Sequence, residues 1–151
     1  MMLFPPVQAA APSAQAAIAA ALDDFHLAAA QADEARYFAH FDEDAVFLGT
    51  DATERWTKAG FRAYAHPYFA KGKAWSFRAT RRAITVSPDG KTAWFDEDLA
   101  TPNLGPCRGS GVLLLKDGAW KIVQYNLALT IPNGVAKEVK TRIEAFIAQG
   151  K

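Results

Sequence analysis

Apolar side chains recur every three or four positions in the first part of the chain, which is the spacing of an amphipathic helix. Ser13 can cap a helix over residues 14–32, whose apolar stripe consists of Ile18, Leu22, Phe25 and Ala29. A second, short helix is predicted from Asp33 to near Phe41, and a third over residues 58–70. The final helix has its own apolar stripe, formed by Val135, Val139, Ile143, Phe146 and Ile147.

The pattern changes to alternation at residue 74, which is typical of β-strands. Strands are predicted over residues 74–86, 92–100, 108–116 and 119–130, in addition to an early strand at 45–48. Asp-Gly pairs at 89–90 and 117–118 mark two hairpin turns. Because helices come first and an antiparallel meander follows, the fold class is α+β.

The two turns also predict which residues face each other across the hairpins. The first turn places Arg82 opposite Glu97, either as a solvated cross-strand pair or as a buried carboxylate with a charged partner. The second turn places Gly109 opposite Asn126 and Gly111 opposite Gln124.

In this register the two amides share a face with Trp120 and Ile122, and the facing glycines leave space beside them. Gln124 and Asn126 are therefore candidate ligand-binding residues. Alternatively, their amides hydrogen-bond to backbone groups where the strand bends. The opposite face carries Tyr125 and Arg108, and the sequence does not decide which of the two faces lines a pocket.

Composition narrows the range of partners. Seventeen basic and 16 acidic residues leave a net charge of +1, so no basic field exists to hold nucleic acid or an anionic membrane. One cysteine excludes an internal disulfide, and the three histidines lack the close helical spacing of a metal site. We therefore expect no cofactor and no metal.

The N-terminus allows two interpretations. Residues 1–13 are either a disordered tail or the remnant of a leader, since Val7-Gln8-Ala9 has the small-residue spacing of a cleavage site. The first alternative places the protein in the cytoplasm, and the second makes it periplasmic or exported. No stretch approaches the roughly 18 apolar residues that span a bilayer.

Three segments carry a family resemblance. They are residues 47–56 (FLGTDATERW), the closing hairpin (RGSGVLL at 108–114 with DGAWKIV at 117–123), and the exit from the last strand (QYNLALTIPN at 124–133). Together they resemble the SnoaL-like branch of the nuclear transport factor two-like superfamily, over roughly residues 14–133.

The resemblance implies a fold and an assembly. The fold is a cone-shaped α+β barrel, in which a strongly curved antiparallel sheet wraps around the N-terminal helices and leaves a pocket at one end. The assembly is a homodimer joined through the outer sheet face. Residues 14–133 would form this domain, and residues 134–151 a C-terminal helix packed on it.

Further candidate residues follow from this arrangement. Asp51 and Trp56 come after the first strand, where the rim of the cone is expected. Asp51 would present a polar group to a ligand there, and Trp56 an aromatic surface. Asp51 and Glu97 are the candidate acid/base carboxylates, and His66 is a candidate ligand contact because its helix borders the cavity. The first helix contains no tyrosine, which argues against steroid-isomerase chemistry.

Three functions remain open. The leading hypothesis is binding of a small, partly apolar organic molecule. The alternative is a cofactor-free isomerase, cyclase or dehydratase acting on a small carbonyl compound, and the third is a protein-interaction or assembly module. An inward-facing carboxylate would favour the enzyme, and a wholly apolar cavity would favour binding.

Overall fold

The computed structural model describes residues 12–150, and the predicted leader or tail lies almost entirely outside that range. Helix α1 (Ala14–Ala30) begins where the Ser13 side chain accepts a hydrogen bond from the Ala16 N–H at 3.2 Å. Its apolar stripe is buried, as the spacing predicts. Helix α2 (Glu34–Ala39) is capped by Asp33 and buries its two aromatic residues, Tyr37 and Phe38.

Six strands form one sheet. They are β1 (Phe41–Leu48), β2 (Arg55–Thr57), β3 (Arg78–Val86), β4 (Thr92–Ala100), β5 (Cys107–Lys116) and β6 (Ala119–Leu129), in the order β2-β1-β6-β5-β4-β3. Helix α3 (Lys58–Ala70) connects β2 to β3 and contains Pro67. Buried residues of α1, α2 and α3 pack with one face of the sheet, which we call the inner face.

The predicted α+β class is confirmed, with two differences in the sheet. The sheet is mixed, because β1 runs parallel to β6 while all other neighbours are antiparallel. It is also not closed into a barrel, since β2 and β3 stand at its two edges. Alternation along the chain predicts that a segment is a strand but not which strand it pairs with. The partners Phe47 and Tyr125 lie 78 positions apart, so this pairing depends on the path of the whole chain.

The register of the first hairpin is as predicted, and that of the second is only half correct. Arg82 lies opposite Glu97, and Leu113 lies opposite Ile122. The register then shifts by one residue, so that Gly111 faces Tyr125 and Gly109 faces Leu127. This is the geometry of a β-bulge, which the alternating pattern does not reveal.

Helix α4 (Ala136–Ile147) follows a short 3-10 turn at Asn133–Val135 and has no buried residue. We expected it to pack on the domain, but its apolar residues Ile143, Phe146 and Ile147 are 51%, 56% and 64% exposed. Among residues 12–150, none of the helices is both long enough and apolar enough to cross a membrane.

Candidate functional site

A cavity of about 190 Å³ lies between the helices and the inner face of the sheet. Helices contribute the rings of Phe25, Tyr37, Phe61 and Tyr64 to its wall. Strands and the segment before β3 contribute those of Phe47, Trp56, Trp75, Phe77 and Tyr125. A cavity of roughly 150 Å³ accommodates benzene, so this one has room for a single-ring molecule with a short substituent.

A buried histidine–carboxylate pair forms the polar part of this wall. His26, on the inward side of α1, is 7% exposed and lines the cavity. Its Nε2 lies 2.6 Å from Oε1 of Glu97, a β4 residue with no exposed surface. The pair joins the first helix to the middle of the sheet, 71 positions apart in the chain.

Two further side chains complete the surroundings of Glu97. The Tyr125 hydroxyl donates to Oε1 at 3.0 Å, and the Arg82 guanidinium donates from Nε to Oε2 at 2.7 Å. Arg82 also donates to Asp23, 2.8 Å away on α1. The carboxylate therefore has a hydrogen-bonded cation beside it, which a buried charge requires.

The pKa values in this cluster move in opposite directions. Burial raises the pKa of Glu97, but the hydrogen bond and positive charge of His26, followed by the charge and hydrogen bond of Arg82, outweigh it, so the pKa lies below its ordinary value. Burial and the neighbouring Glu97 charge raise the pKa of Tyr125 well above its ordinary value. Glu97 is thus ionised and Tyr125 protonated at neutral pH.

An ionised carboxylate can only accept hydrogen bonds, so the proton in the His26–Glu97 contact belongs to His26 Nε2. Within the described part of the chain, Nδ1 of His26 has no hydrogen-bond partner. Neutral His26 therefore presents a lone pair at Nδ1, and protonated His26 presents a donor there. This arrangement suits general acid–base chemistry on a molecule held in the cavity.

Gly109 makes room for this cluster. A Cβ at this position would collide with the Tyr125 hydroxyl and lie 3.0 Å from Glu97 Oε1. The sequence predicts space for the two amide side chains beside the glycines of β5. The space at Gly109 is used by Tyr125 and Glu97 instead, and the space at Gly111 by the Gln124 backbone carbonyl and the Phe95 ring.

Gln124 and Asn126 lie on the outer face of the sheet. Across the strands Gln124 pairs with Val112 and Asn126 with Ser110, and neither amide lines the cavity. The bulge in β6 is the physical reason, since a shift of one residue transfers every later side chain to the opposite face. Tyr125 takes the inward position instead.

The other predicted residues separate into two groups. Trp56 lines the cavity, and Glu97 is the inward carboxylate with a charged partner rather than a solvated pair. Asp51 is exposed in the turn after β1, where its carboxylate accepts from the N–H and hydroxyl of Thr53. His66 points away from the cavity, with its side chain 64% exposed and bonded to Glu34.

Sequence reasoning named Tyr125 only as part of the alternative face of its strand, and it did not select His26, although one signal for His26 was present. His26 lies four residues after Leu22 and next to Phe25, so it belongs to the buried stripe of α1. A titratable residue on an apolar stripe requires a buried partner. Within residues 12–150, no group of three or more His, Cys, Asp or Glu side chains is placed to hold a metal ion.

Helices packed on one face of a mixed sheet, with a buried histidine–glutamate pair beside an aromatic cavity, define the class of this protein as α+β. The chain belongs to the SnoaL-like domain family, whose model matches residues 18–132. The family match confirms the resemblance that was inferred from the sequence. No curated protein matches the chain.

Solved structures share this fold at low sequence identity. A cystatin-like-fold protein of unknown function from Nostoc punctiforme has a TM-score of 0.64 at 13% identity, over 77% of this chain and 90% of that one. An NTF2-like protein of unknown function from Pseudomonas putida has a TM-score of 0.63 at 11% identity, over 77% and 86%. A candidate scytalone dehydratase from Novosphingobium aromaticivorans has a TM-score of 0.63 at 14% identity, over 76% and 83%.

Proposed function

We propose that this chain is a cofactor-free acid–base enzyme that acts on a small, partly apolar carbonyl compound. The observation that carries the proposal is His26, which lines an aromatic cavity while its Nε2 is held by the buried, ionised Glu97. The reaction class is an isomerisation, cyclisation or dehydration of the kind that begins with removal of a proton from the carbon beside a carbonyl. The fold shared with a candidate scytalone dehydratase is consistent with this class.

Each group has a separate role in the proposed step. His26 Nδ1 takes a proton from the carbon next to the carbonyl, and the C–H electron pair moves to give an enolate. The imidazolium that forms is stabilised by the negative charge of Glu97, which also holds the ring orientation. Arg82 and Tyr125 are positioning residues. The charge of Arg82 helps to keep the buried carboxylate ionised, and the hydrogen bonds from both side chains hold its orientation.

The test measures hydrogen exchange rather than an unknown natural reaction. Phenylacetone has one ring and an enolisable ketone, and proton NMR in D₂O follows the loss of its benzylic protons. We expect the wild type to accelerate this exchange and His26→Gln to lose about 10²–10⁴-fold, the usual contribution of a general base. Glutamine can still donate to Glu97, which makes it the mildest replacement.

His66→Gln is the matched control, since His66 also pairs with a carboxylate but is exposed and outside the cavity. It should exchange phenylacetone at the wild-type rate. Equal rates for the wild type and His26→Gln, with both variants folded by circular dichroism, would rule out His26 as the base.

Binding without turnover is the second candidate, supported by the aromatic lining of the cavity. Native mass spectrometry of the purified protein tests it, because a retained small molecule appears as added mass that mild denaturation removes. A retained ligand, with no exchange of enolisable ketones above the buffer rate, would favour this candidate over the enzyme.

A further inference from the structure

The turn between β1 and β2 holds a second carboxylate, Glu54, at the cavity. The Gly49 N–H donates to the Glu54 carbonyl at 2.9 Å, and the Glu54 N–H donates to the Asp51 carbonyl at 3.0 Å. The Glu54 carboxylate accepts from the Asp51 N–H at 3.2 Å. It lies over Gly49, where a Cβ would collide with it, so the missing side chain provides its place.

Two aromatic rings stand beside this carboxylate. Trp56 and Tyr64 line the cavity together with Glu54, and their rings stack with centroids 5.2 Å apart. Tyr64 is 43% exposed, which places this group at the mouth rather than in the interior. Faces of tryptophan and tyrosine attract cations, and a nearby carboxylate adds to that attraction.

The charges around the cavity have one sign. Among the described side chains that line it, Glu54 is the one carboxylate, and none is a lysine or an arginine. The neighbouring Arg55 lies on the other side of β2 because side chains alternate along a strand. Lys58, at the start of α3, is engaged by Glu43 and the Phe41 carbonyl.

The polar cluster behind the wall does not reverse this sign. Asp23, Arg82 and Glu97 together carry one net negative charge, which protonation of His26 would only neutralise. An anionic ligand would therefore meet no lysine or arginine among the described residues that line the cavity.

We infer that the ligand of this cavity has an apolar or aromatic body and a positively charged nitrogen, with the nitrogen at the mouth beside Glu54, Trp56 and Tyr64. The inference rests on the cavity being the ligand site, as proposed above, but not on His26 acting as a base. It narrows the substrate class from small carbonyl compounds in general to those that carry an ammonium group.

Three compounds of one size test the charge preference. They are 2-phenylethylamine, 2-phenylethanol and phenylacetate, which are cationic, neutral and anionic at pH 7. Isothermal titration calorimetry measures each Kd. We expect the amine to bind about five- to tenfold more tightly than the alcohol, from one cation–π contact and one partly exposed ion pair, and phenylacetate to bind least.

Glu54→Gln should reduce the preference for the amine to the part that the cation–π contact with Trp56 and Tyr64 supplies, and should leave the Kd of the alcohol unchanged. Asp51→Asn is the matched control, because Asp51 is an exposed carboxylate three residues away that does not line the cavity. It should keep the wild-type preference.

Equal Kd values for the alcohol and the amine would overturn the inference, as would a Glu54→Gln variant that keeps the full preference. Absence of amine binding at 10 mM would overturn it as well, because a Kd above 10 mM corresponds to a binding free energy weaker than about 2.7 kcal/mol. His26→Gln separates this inference from the proposed enzyme. It should keep the charge preference even if the exchange assay shows no catalysis in any variant.

Discussion

At the scale of single residues, Glu97 carries a full charge in the interior, and three side chains make this possible. Arg82 balances the charge at Oε2, and His26 and Tyr125 both contact Oε1. Removing one partner of such a pair costs about 3–5 kcal/mol because the other charge is left uncompensated. The cluster is consequently a site of both chemistry and fold stability.

Gly109→Ala tests how tightly the cluster is packed. The added methyl group would meet the Tyr125 hydroxyl and Glu97, so we expect a loss of about 1–3 kcal/mol in the free energy of unfolding. Urea unfolding followed by circular dichroism measures it. Gly134→Ala is the control, because nothing lies within 4 Å of its Cβ position. Equal stability of the two variants would contradict the tight contact.

At the scale of elements, Asp24 joins α1 to α2 and to His40, the residue that ends α2. Arg36 donates to both of its carboxylate oxygens, from Nε at 3.0 Å, and His40 Nε2 lies 2.7 Å from Oδ2. The hydrogen bond from Arg36 lowers the pKa of Asp24 to about 2, from an ordinary value of 3.8, against a smaller opposing effect of burial.

This shift predicts how stability depends on pH. A carboxylate whose pKa is lower in the folded state contributes stability above its unfolded pKa and loses it as pH falls toward the folded value. We expect the thermal midpoint of the wild type to exceed that of Asp24→Asn at pH 5, and the two curves to converge between about pH 4 and pH 2. Asp44→Asn, at an exposed carboxylate, should follow the wild type. A difference in thermal midpoint between wild type and Asp24→Asn that stays constant down to pH 2 would show that ionisation of Asp24 does not cause the pH dependence.

At the scale of the whole molecule, α4 exposes an apolar face that its own domain does not cover. A twelve-residue helix is only marginally stable in isolation, so a covered face would stabilise it. We propose that the protein is a homodimer, as the family resemblance of its sequence implies, and that α4 contributes to the contact.

Ile143→Glu should then lower self-association, measured by sedimentation equilibrium against a chain mass of 16.4 kDa. Because Ile143 is 51% exposed, the same change should alter the unfolding free energy of the domain by less than about 0.5 kcal/mol. Thr141→Glu, on the opposite side of the helix, is the control. A wild type that sediments as a monomer would contradict the dimer, and a dimer unaffected by Ile143→Glu would exclude α4 from the contact.

Local chemistry explains what the sequence predicted at each scale. Caps, apolar stripes and Asp-Gly turns predicted the helices and hairpins, since these depend on neighbours a few positions apart. The direct pairing of Arg82 with Glu97 followed from one turn in the same way. The sequence did not predict on which face of the sheet that pair lies. Side chains alternate between the two faces in either case, and only the packing of the helices makes one face the inner one.

The sequence by itself determined the fold class, the family and the presence of a carboxylate opposite an arginine. Only the tertiary structure decided that Tyr125 rather than Gln124 and Asn126 points inward, because a one-residue bulge exchanges the two faces. Only the tertiary structure brought His26 to Glu97, since the two residues lie on elements that meet through packing of the core. Helix and strand periods are local, whereas a site assembled across 71 positions depends on the fold as a whole.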